Sequence, residues 1–164
     1  MEIIRNNLDN IIDTYADMVY RIALIQMKNR DDAQDVFQEV FFRLVKNIDK
    51  IENEEHLKYW LIRVTINCSK TSIKNILKNK TLPIEENIYL GKSFENSTEY
   101  LELFEKINKL PKKYSTVIFL FYYEELSVKE ISSITKQKES TVKSQLSRAR
   151  AMLKDMLSGE RSAL

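Results

Sequence analysis

Residues 127–153, with the sequence SVKEISSITKQKESTVKSQLSRARAML, constrain the fold of this chain more than any other segment. Ser127 and Glu130 have the spacing of a capping box, in which a serine and a glutamate close the start of a helix. The residues expected to face inward on this helix are Val128, Ile131 and Ile134. A second helical pattern follows after a short connection, apolar on one side and small or basic on the other. The segment therefore predicts a helix-turn-helix, whose second helix would present its polar face to a DNA groove.

The second helix is predicted to begin near Ser140 or Thr141, which could cap it, and to end around Ser158 with Gly159 just past it. Its apolar face comprises Val142, Leu146, Ala149, Leu153 and Met156. Its far side comprises Ser140, Ser144, Ser147, Arg148 and Ala151, flanked by Lys143 and Arg150. Small far-side residues would let the backbone lie deep in a major groove. A solvated amphipathic helix would show the same pattern, and the capped helix before it is what favours DNA binding.

The composition favours an all-α fold. The 164 residues include two Gly and two Pro, which argues for long helices over sheets and turns. Hydrophobic residues make up 43%, enough for a packed core. The one Cys excludes a disulfide framework or a cysteine zinc site and fits a reducing compartment. Because neither a signal peptide nor a bilayer-spanning stretch is evident, we expect a cytoplasmic protein.

Apolar periodicity predicts three helices in the first half of the chain. The first covers residues 8–27, and the second opens at Asp31 and stops near Asn47. Asn53 is the expected cap of a third helix that runs to about Lys78. The buried face of the second helix is predicted to comprise Ala33, Val36, Phe37, Val40, Phe41, Leu44 and Val45. The apolar stripe of the third helix is predicted to comprise Leu57, Leu61, Val64 and Cys68.

Residues 79–96 lose clear periodicity and contain Pro83 and Gly91, which is typical of a linker. Helices resume near Thr98, and a further helix is expected over residues 111–125 with proline at its first position. We therefore predict an all-α protein of two helical domains joined by a flexible linker, the C-terminal one containing the helix-turn-helix. The predicted domains are residues 1–79 and 98–164, and the predicted linker is residues 80–97.

Basic residues are concentrated in two zones on a chain whose net charge is only +2. Residues 56–80 contain six basic residues and no acid, and residues 136–154 contain six against Glu139 alone. The segment between them is acidic on balance. This distribution predicts two polyanion-binding surfaces on a nearly neutral protein.

The first basic zone lies on the third helix, where basic residues and an amide share a narrow stripe bordered by Tyr59 and Trp60. Positive charge beside aromatic rings suits single-stranded or locally opened nucleic acid. A solvated basic face, with Trp60 in the core, would fit the same pattern, and the sequence leaves both interpretations open. The stripe consists of His56, Arg63, Asn67, Lys70 and Lys74.

The helix predicted over residues 31–47 carries one apolar residue, Phe42, on an otherwise polar and acidic face. Phe42 could anchor a protein interface surrounded by a charged rim, or it could fill a second contact within its own domain. The other residues of this face are Gln34, Asp35, Gln38, Glu39 and Arg43.

Catalytic and metal-binding patterns are not found in the sequence. His56 is the one His, has no partner Cys or His, and is expected to be an ordinary surface or helix-start residue. No Gly-rich phosphate loop occurs, and no pair of acids stands out by its spacing. We therefore expect neither an enzyme nor a bound metal or cofactor.

Three segments together resemble the extracytoplasmic-function (ECF) group of bacterial sigma factors. DAQDVFQEVFFRLVKN, which ends at Asn47, is similar to the second conserved region of that group. YWLIRVTIN, which starts at Tyr59, is similar to its promoter-opening helix, and residues 110–153 are similar to its fourth region. The resemblance covers nearly the whole chain, with the linker where the group has one.

The resemblance implies a transcription initiation factor that binds core RNA polymerase and directs it to specific promoters. Its C-terminal helix-turn-helix would read the minus-35 element, and its N-terminal domain would help to open the minus-ten element. The partners implied are core RNA polymerase, promoter DNA and an anti-sigma factor, with no small-molecule substrate.

The resemblance also implies roles for individual residues. Polymerase docking is implied for Asp35, Gln38, Glu39 and Phe42. Contact with the minus-ten element is implied for Arg63 and Asn67, with phosphate support from Lys70 and Lys74. Contact with the minus-35 element is implied for Lys143, Ser144, Ser147 and Arg148, and Thr141 and Arg150 complete the predicted DNA-binding set. The loop from about Ile48 to Glu55 would help to receive a flipped base.

The chain departs from the group at the turn before the recognition helix, where Gly is common. Residues 135–138 are Thr, Lys, Gln and Lys, and Ser140 precedes Thr141. Two other classes remain open on the residues alone. One is a stand-alone helix-turn-helix regulator with a sensory or dimerisation module, which would bind a palindromic site unaided. The other is a helical adaptor without nucleic-acid function.

Overall fold

A computed structural model describes residues 7–79 and 98–162 of the chain. Within those two ranges the regular secondary structure is helical and contains no strand, so the predicted all-α fold is confirmed. Contacts between residues divide the chain into two compact units, Met1–Phe94 and Glu95–Leu164. The predicted linker, residues 80–97, lies outside the described residues.

The N-terminal unit consists of α1 (Leu8–Met27), α2 (Arg30–Asn47), a 3₁₀ turn (Ile48–Lys50) and α3 (Glu54–Asn79). Each of the three α-helices packs against the other two. The predicted bounds of α1 are confirmed, and the Asn53 cap of α3 is confirmed by a 2.8 Å bond to its side chain from the backbone N–H of His56. α2 begins one residue earlier than predicted because the side chain of Asn29 caps it, accepting from the N–H of Asp32 at 3.0 Å.

The core of this unit follows the predicted helix faces with two exceptions on α2 and one on α3. Phe37 is half-buried and packs edge-on against Tyr20, with ring centroids 6.2 Å apart, and Val64 is half-buried. The prediction that Val45 is buried is wrong, because its side chain is 51% exposed. Val45 lies about 120° around the helix from Ala33, which carries it past the edge of the buried face. The fully buried side chains include Ile22, Leu44, Ile51, Leu57, Leu61 and Ile62.

The C-terminal unit consists of α4 (Thr98–Lys109), α5 (Lys112–Tyr122), α6 (Val128–Thr135) and α7 (Glu139–Ser162). α7 packs against the other three helices. The corner between α4 and α5 is tied by the buried hydroxyl of Ser115, whose oxygen lies 2.8 Å from the carbonyl oxygens of both Ile107 and Leu110. The fully buried side chains of this unit include Ile107, Leu110, Ile118, Phe119 and Leu120.

Several predicted helix boundaries in this unit are wrong. α5 begins at Lys112, and Pro111, predicted as its first residue, is its N-cap with a ψ of 144°. α5 ends at Tyr122 and not near residue 125, where Glu125 has a φ of 57° that no α-helix continues through. α7 does not stop before Gly159 but runs through it to Ser162. Gly159 has no positive φ, so it does not adopt the left-handed conformation by which a glycine ends a helix. Across the residues described, no helix is both long and apolar enough to cross a membrane.

Candidate nucleic-acid interface

The first helix of the helix-turn-helix is closed by the predicted capping box. The N–H of Glu130 donates to the Ser127 hydroxyl oxygen at 3.1 Å, and the N–H of Ser127 donates to the Glu130 carboxylate at 3.0 Å. Ile131 and Ile134 are buried as predicted, whereas Val128 is half-buried. The capping box satisfies two backbone N–H groups at the start of α6.

The turn itself is made without glycine. Lys136 adopts the left-handed conformation with a φ of 56° and a ψ of 42°. The carbonyl of Ser132 accepts from the N–H of Lys136 and from that of Gln137, and the Ser132 hydroxyl donates to the carbonyl of Gln137. These bonds satisfy the carbonyl of Ser132 and hold a non-glycine residue in a conformation that costs about 1–2 kcal/mol.

α7 presents the polar face that the sequence predicts. Val142, Leu146 and Ala149 are buried, while Leu153 and Met156 are half-buried. The helix begins at Glu139, so the expectation that Ser140 or Thr141 caps it is wrong: both lie inside its first turn. The far-side and flanking residues Ser140, Thr141, Lys143, Ser144, Ser147, Arg148, Arg150 and Ala151 are all exposed.

Arg148 lies at one edge of this face, beside Tyr114 of α5. Its guanidinium donates a hydrogen bond to the hydroxyl of Tyr114, and this bond is the main reason that the pKa of Tyr114 lies below its ordinary value. The ammonium of Lys113 lies 5.0 Å from the centroid of the Tyr114 ring. Sequence reasoning did not find Tyr114 or Lys113, because the contact joins two helices that no local pattern relates.

Arg150 is held at the other edge. Its Nε donates to the hydroxyl of Tyr122 at 2.6 Å, and its guanidinium lies 5.6 Å from the ring centroids of both Phe121 and Tyr122. Arg148 and Arg150 are about 160° apart around the helix, so they flank the small residues between them. One tyrosine of α5 therefore accepts a hydrogen bond from Arg150, and another lies beside Arg148.

The stripe on α3 is exposed at Arg63, Asn67, Lys70 and Lys74, which fall within about 60° of one another around the helix. His56 lies at the helix start and is half-buried. Its Nδ1 accepts from the N–H of Glu52 at 3.0 Å, which confirms the predicted helix-start role. Tyr59 and Trp60, which border the stripe, are half-buried.

The outer face of α2 carries an apolar pair within a charged rim. Phe42 is 56% exposed and Val45 is 51% exposed, so Phe42 does not fill an internal contact. The Lys46 ammonium lies 4.4 Å from the centroid of the Phe42 ring, and Arg43 pairs with Glu39 at 2.9 Å. Asp35, Gln38 and Glu39 are exposed on the same face. Sequence reasoning missed Val45 because its spacing also fits the buried side.

No group of three or more potential metal ligands occurs in residues 7–79 and 98–162. Cys68 is buried, and burial raises the pKa of its thiol, so the thiolate form is disfavoured. The arrangement therefore offers charged and polar surfaces for macromolecules, and a cluster suited to chemistry is not found among the described residues.

Comparison with known proteins decides between the classes of protein that the sequence left open. Residues 11–76 match the family model for Sigma-70 region 2, and residues 100–153 match the one for Sigma-70, region 4. The chain is 32% identical to the RNA polymerase sigma factor SigV of Bacillus subtilis (strain 168), over 86% of this chain and 85% of the relative. It is also 32% identical to the ECF RNA polymerase sigma factor SigW of that organism, over 90% and 87% respectively. The chain belongs to the ECF family of sigma factors.

This ECF sigma factor is therefore a transcription initiation factor that directs RNA polymerase to promoters, and its family consists of regulatory proteins and not of enzymes. Its fold is that of the sigma factor RpoE from Bartonella quintana, solved with the anti-sigma factor NepR. That match has a TM-score of 0.71 at 19% identity and covers 92% of this chain and 96% of the other. CnrH, solved with the cytosolic domain of CnrY, matches with a TM-score of 0.62 at 16% identity, over 94% and 90%.

Proposed function

We propose that this sigma factor docks on core polymerase through the outer face of α2, opens the minus-ten element with α3 and reads the minus-35 element with α7. In this proposal residues 1–79 and 98–164 are the functional domains, and residues 80–97 link them. Tethering the two domains raises the effective concentration of the second promoter contact once the first has formed. We place the protein in the cytoplasm, where promoter DNA and polymerase are, and infer a role without catalysis.

The observation that carries the minus-35 assignment is the exposed face of α7. Small side chains occupy its centre, so the helix backbone can approach the floor of a major groove. Arg148 stands at one edge with a guanidinium able to pair with the O6 and N7 atoms of guanine. The exposed side chains of Lys143 and Ser144 support contacts to bases or phosphates. The remaining members of this proposed surface are Thr141, Ser147 and Arg150.

The exposed stripe of α3 supports contact with the opened minus-ten element. Arg63 and Asn67 offer groups that bind base edges, and Lys70 and Lys74 continue the stripe with charge suited to phosphates. The loop from Ile48 to Glu55 leads into the same helix and is proposed to help receive a flipped base. Unstacking that base costs a few kcal/mol, which contacts in the pocket must offset.

The outer face of α2 supports polymerase docking. An apolar anchor surrounded by charged and polar residues is the usual composition of an energetic centre in a protein interface. Phe42 supplies that anchor, and Val45 extends it by one turn. The rim consists of Asp35, Gln38 and Glu39.

We also propose that an anti-sigma factor binds this chain. Two proteins of the same fold were solved in complexes whose partners are the anti-sigma factor NepR and the cytosolic domain of CnrY. The C-terminal unit has an apolar groove between α4, α5 and α7 that would suit such a partner. Its exposed lining includes Leu103, Tyr122 and Leu157, with Arg150 and Lys154 adding positive charge.

Run-off transcription with purified core polymerase and a genomic template tests the proposal. We expect discrete transcripts that require both core polymerase and this chain, from start sites that share two unlike upstream elements. A stand-alone regulator would instead bind a palindromic site without polymerase, with half-sites about one helical turn apart. That result would contradict the proposed roles of the two domains in polymerase docking and promoter recognition.

A further inference from the structure

The glycine-free turn of the helix-turn-helix contains a chain of hydrogen bonds between three side chains. Nε2 of Gln145, on α7, donates to Oε1 of Gln137 at 2.8 Å. Nε2 of Gln137 donates to the hydroxyl oxygen of Thr135 at 3.0 Å, and that hydroxyl donates to the carbonyl oxygen of Ile131 at 2.7 Å. A continuous polar connection therefore runs from α7 across the turn to the backbone of α6.

Thr135, the last side chain in this series of hydrogen bonds, determines which groups donate and which accept. A threonine hydroxyl has one proton, and that of Thr135 is used on Ile131. Thr135 can then only accept from Gln137, so Gln137 must turn its amide nitrogen to Thr135 and its oxygen to Gln145. Gln145 in turn must offer its nitrogen. The three side chains consequently admit one arrangement.

This arrangement leaves the Oε1 of Gln145 buried, with no hydrogen-bond partner in the residues that the structure describes. A buried acceptor without a partner is unfavourable, so Gln145 retains its orientation at a free-energy cost. An apolar side chain of similar volume would avoid that cost. What the amide of Gln145 adds over such a side chain is its bond to Gln137, which joins α7 to the turn.

We propose that Gln137 and Gln145 are positioning residues for promoter reading, which hold the direction in which α7 leaves the turn. The inference rests on the proposed role of α7 at the minus-35 element. Arg148 lies about 15 Å along the helix axis from Lys138, so a change of about 10° in helix direction would move it by roughly 2.5 Å. A displacement of that size is too large for a hydrogen bond to a base edge to survive.

The test uses holoenzyme assembled from core polymerase and the full chain, on a promoter found by run-off transcription. Transcription is compared between the intact promoter and one with its minus-35 element substituted, and the ratio measures reading by α7. Gln137→Met and Gln145→Met remove the amides while nearly conserving volume. Thr135→Ser keeps the hydroxyl at the end of the chain. Val117→Ala serves as a control that weakens the fully buried core of the same unit away from the turn.

We expect each Met variant to lower the ratio about two- to tenfold, the effect of one ordinary hydrogen bond. The double variant should lose no more than either single variant, because the two amides act as a unit. Thr135→Ser and Val117→Ala should retain the ratio. Equal losses in the Met variants and in Val117→Ala would overturn the inference, since general destabilisation would then explain them.

Arg148→Ala separates failure of this inference from failure of the proposed function. If Arg148→Ala lowers the ratio and the Met variants do not, the positioning role is overturned and the reading role of α7 stands. If Arg148→Ala leaves the ratio unchanged as well, the proposed role of α7 is contradicted and the positioning inference is overturned with it.

Discussion

The Nε of Arg150 donates a hydrogen bond to the hydroxyl of Tyr122 at 2.6 Å, which ties the recognition helix to α5 across a separation of 28 residues in sequence. The guanidinium also lies over the rings of Phe121 and Tyr122. At the opposite edge of α7, Arg148 lies beside Tyr114 of α5 and lowers the pKa of its hydroxyl. α5 therefore contacts Arg150 directly and lies beside Arg148, two cationic side chains that the sequence predicts to face DNA.

Tyr122→Phe should lower the free energy of unfolding by about 0.5–1.5 kcal/mol, because it removes the hydroxyl acceptor and keeps the ring. Urea denaturation measures this change. In an Arg150→Ala background the same substitution should have almost no further effect, since the donor is already gone. A loss of equal size in both backgrounds would mean that the hydroxyl acts through another contact.

Phe42→Ala should weaken binding to core polymerase by about 2 kcal/mol or more, the loss typical of a central apolar anchor. The fold should remain intact because the side chain is 56% exposed. Co-purification with core polymerase measures binding, and thermal unfolding checks the fold.

The neighbouring Phe41 offers a contrast, because it is 8% exposed. Phe41→Ala should destabilise the N-terminal unit by about 3–5 kcal/mol through loss of core packing. If Phe42→Ala instead co-purifies at the wild-type level, the outer face of α2 is not the docking surface.

Arg148→Ala should cost about 1–3 kcal/mol of discrimination at one base pair of the minus-35 element if the guanidinium binds guanine bidentately. It should also raise the pKa of Tyr114, because the hydrogen bond from Arg148 is the main cause of its lowering. NMR titration of labelled tyrosine measures that pKa without DNA. An unmoved Tyr114 pKa would contradict the contact between the two side chains, whatever the effect on transcription.

Lys136→Gly should raise the free energy of unfolding by about 0.5–1 kcal/mol, because glycine adopts the left-handed conformation at less steric cost than lysine. Lys138, in the same turn, has no positive φ and provides the matched control. Lys138→Gly should destabilise the protein, since it only adds freedom to the unfolded chain. Denaturant titration of both variants checks the prediction, and equal changes of the same sign would contradict it.

The helices could be predicted from the sequence because their signals are local. Asn53 and the Ser127–Glu130 pair cap helices as predicted, and the periodicity of α1 gave both of its ends. The predicted end of α7 was wrong because it was placed at a glycine of a helix whose pattern continues beyond it. Glycine commonly ends helices, but it does so where the backbone adopts the left-handed conformation. Gly159 has no positive φ, and α7 continues through it.

The surroundings of the candidate site could not be predicted in the same way. Tyr114 and Tyr122 reach the recognition helix only because α5 and α7 pack together, and contacts between distant segments leave no periodic signal. Val45 was misassigned for a related reason. A spacing of three or four residues fits the edges of both faces of a helix, and only the packing of neighbouring helices decides which face is covered.

The serines at the centre of the proposed reading surface of α7 bear on how its promoter specificity could evolve. Ser144 and Ser147 are exposed, and each hydroxyl can both donate and accept, so neither commits the helix to one base. Substitution at either position would change the groups offered to the groove while leaving the buried side of α7 untouched. Target genes could therefore diverge through single surface mutations that leave the packed core of the C-terminal unit intact.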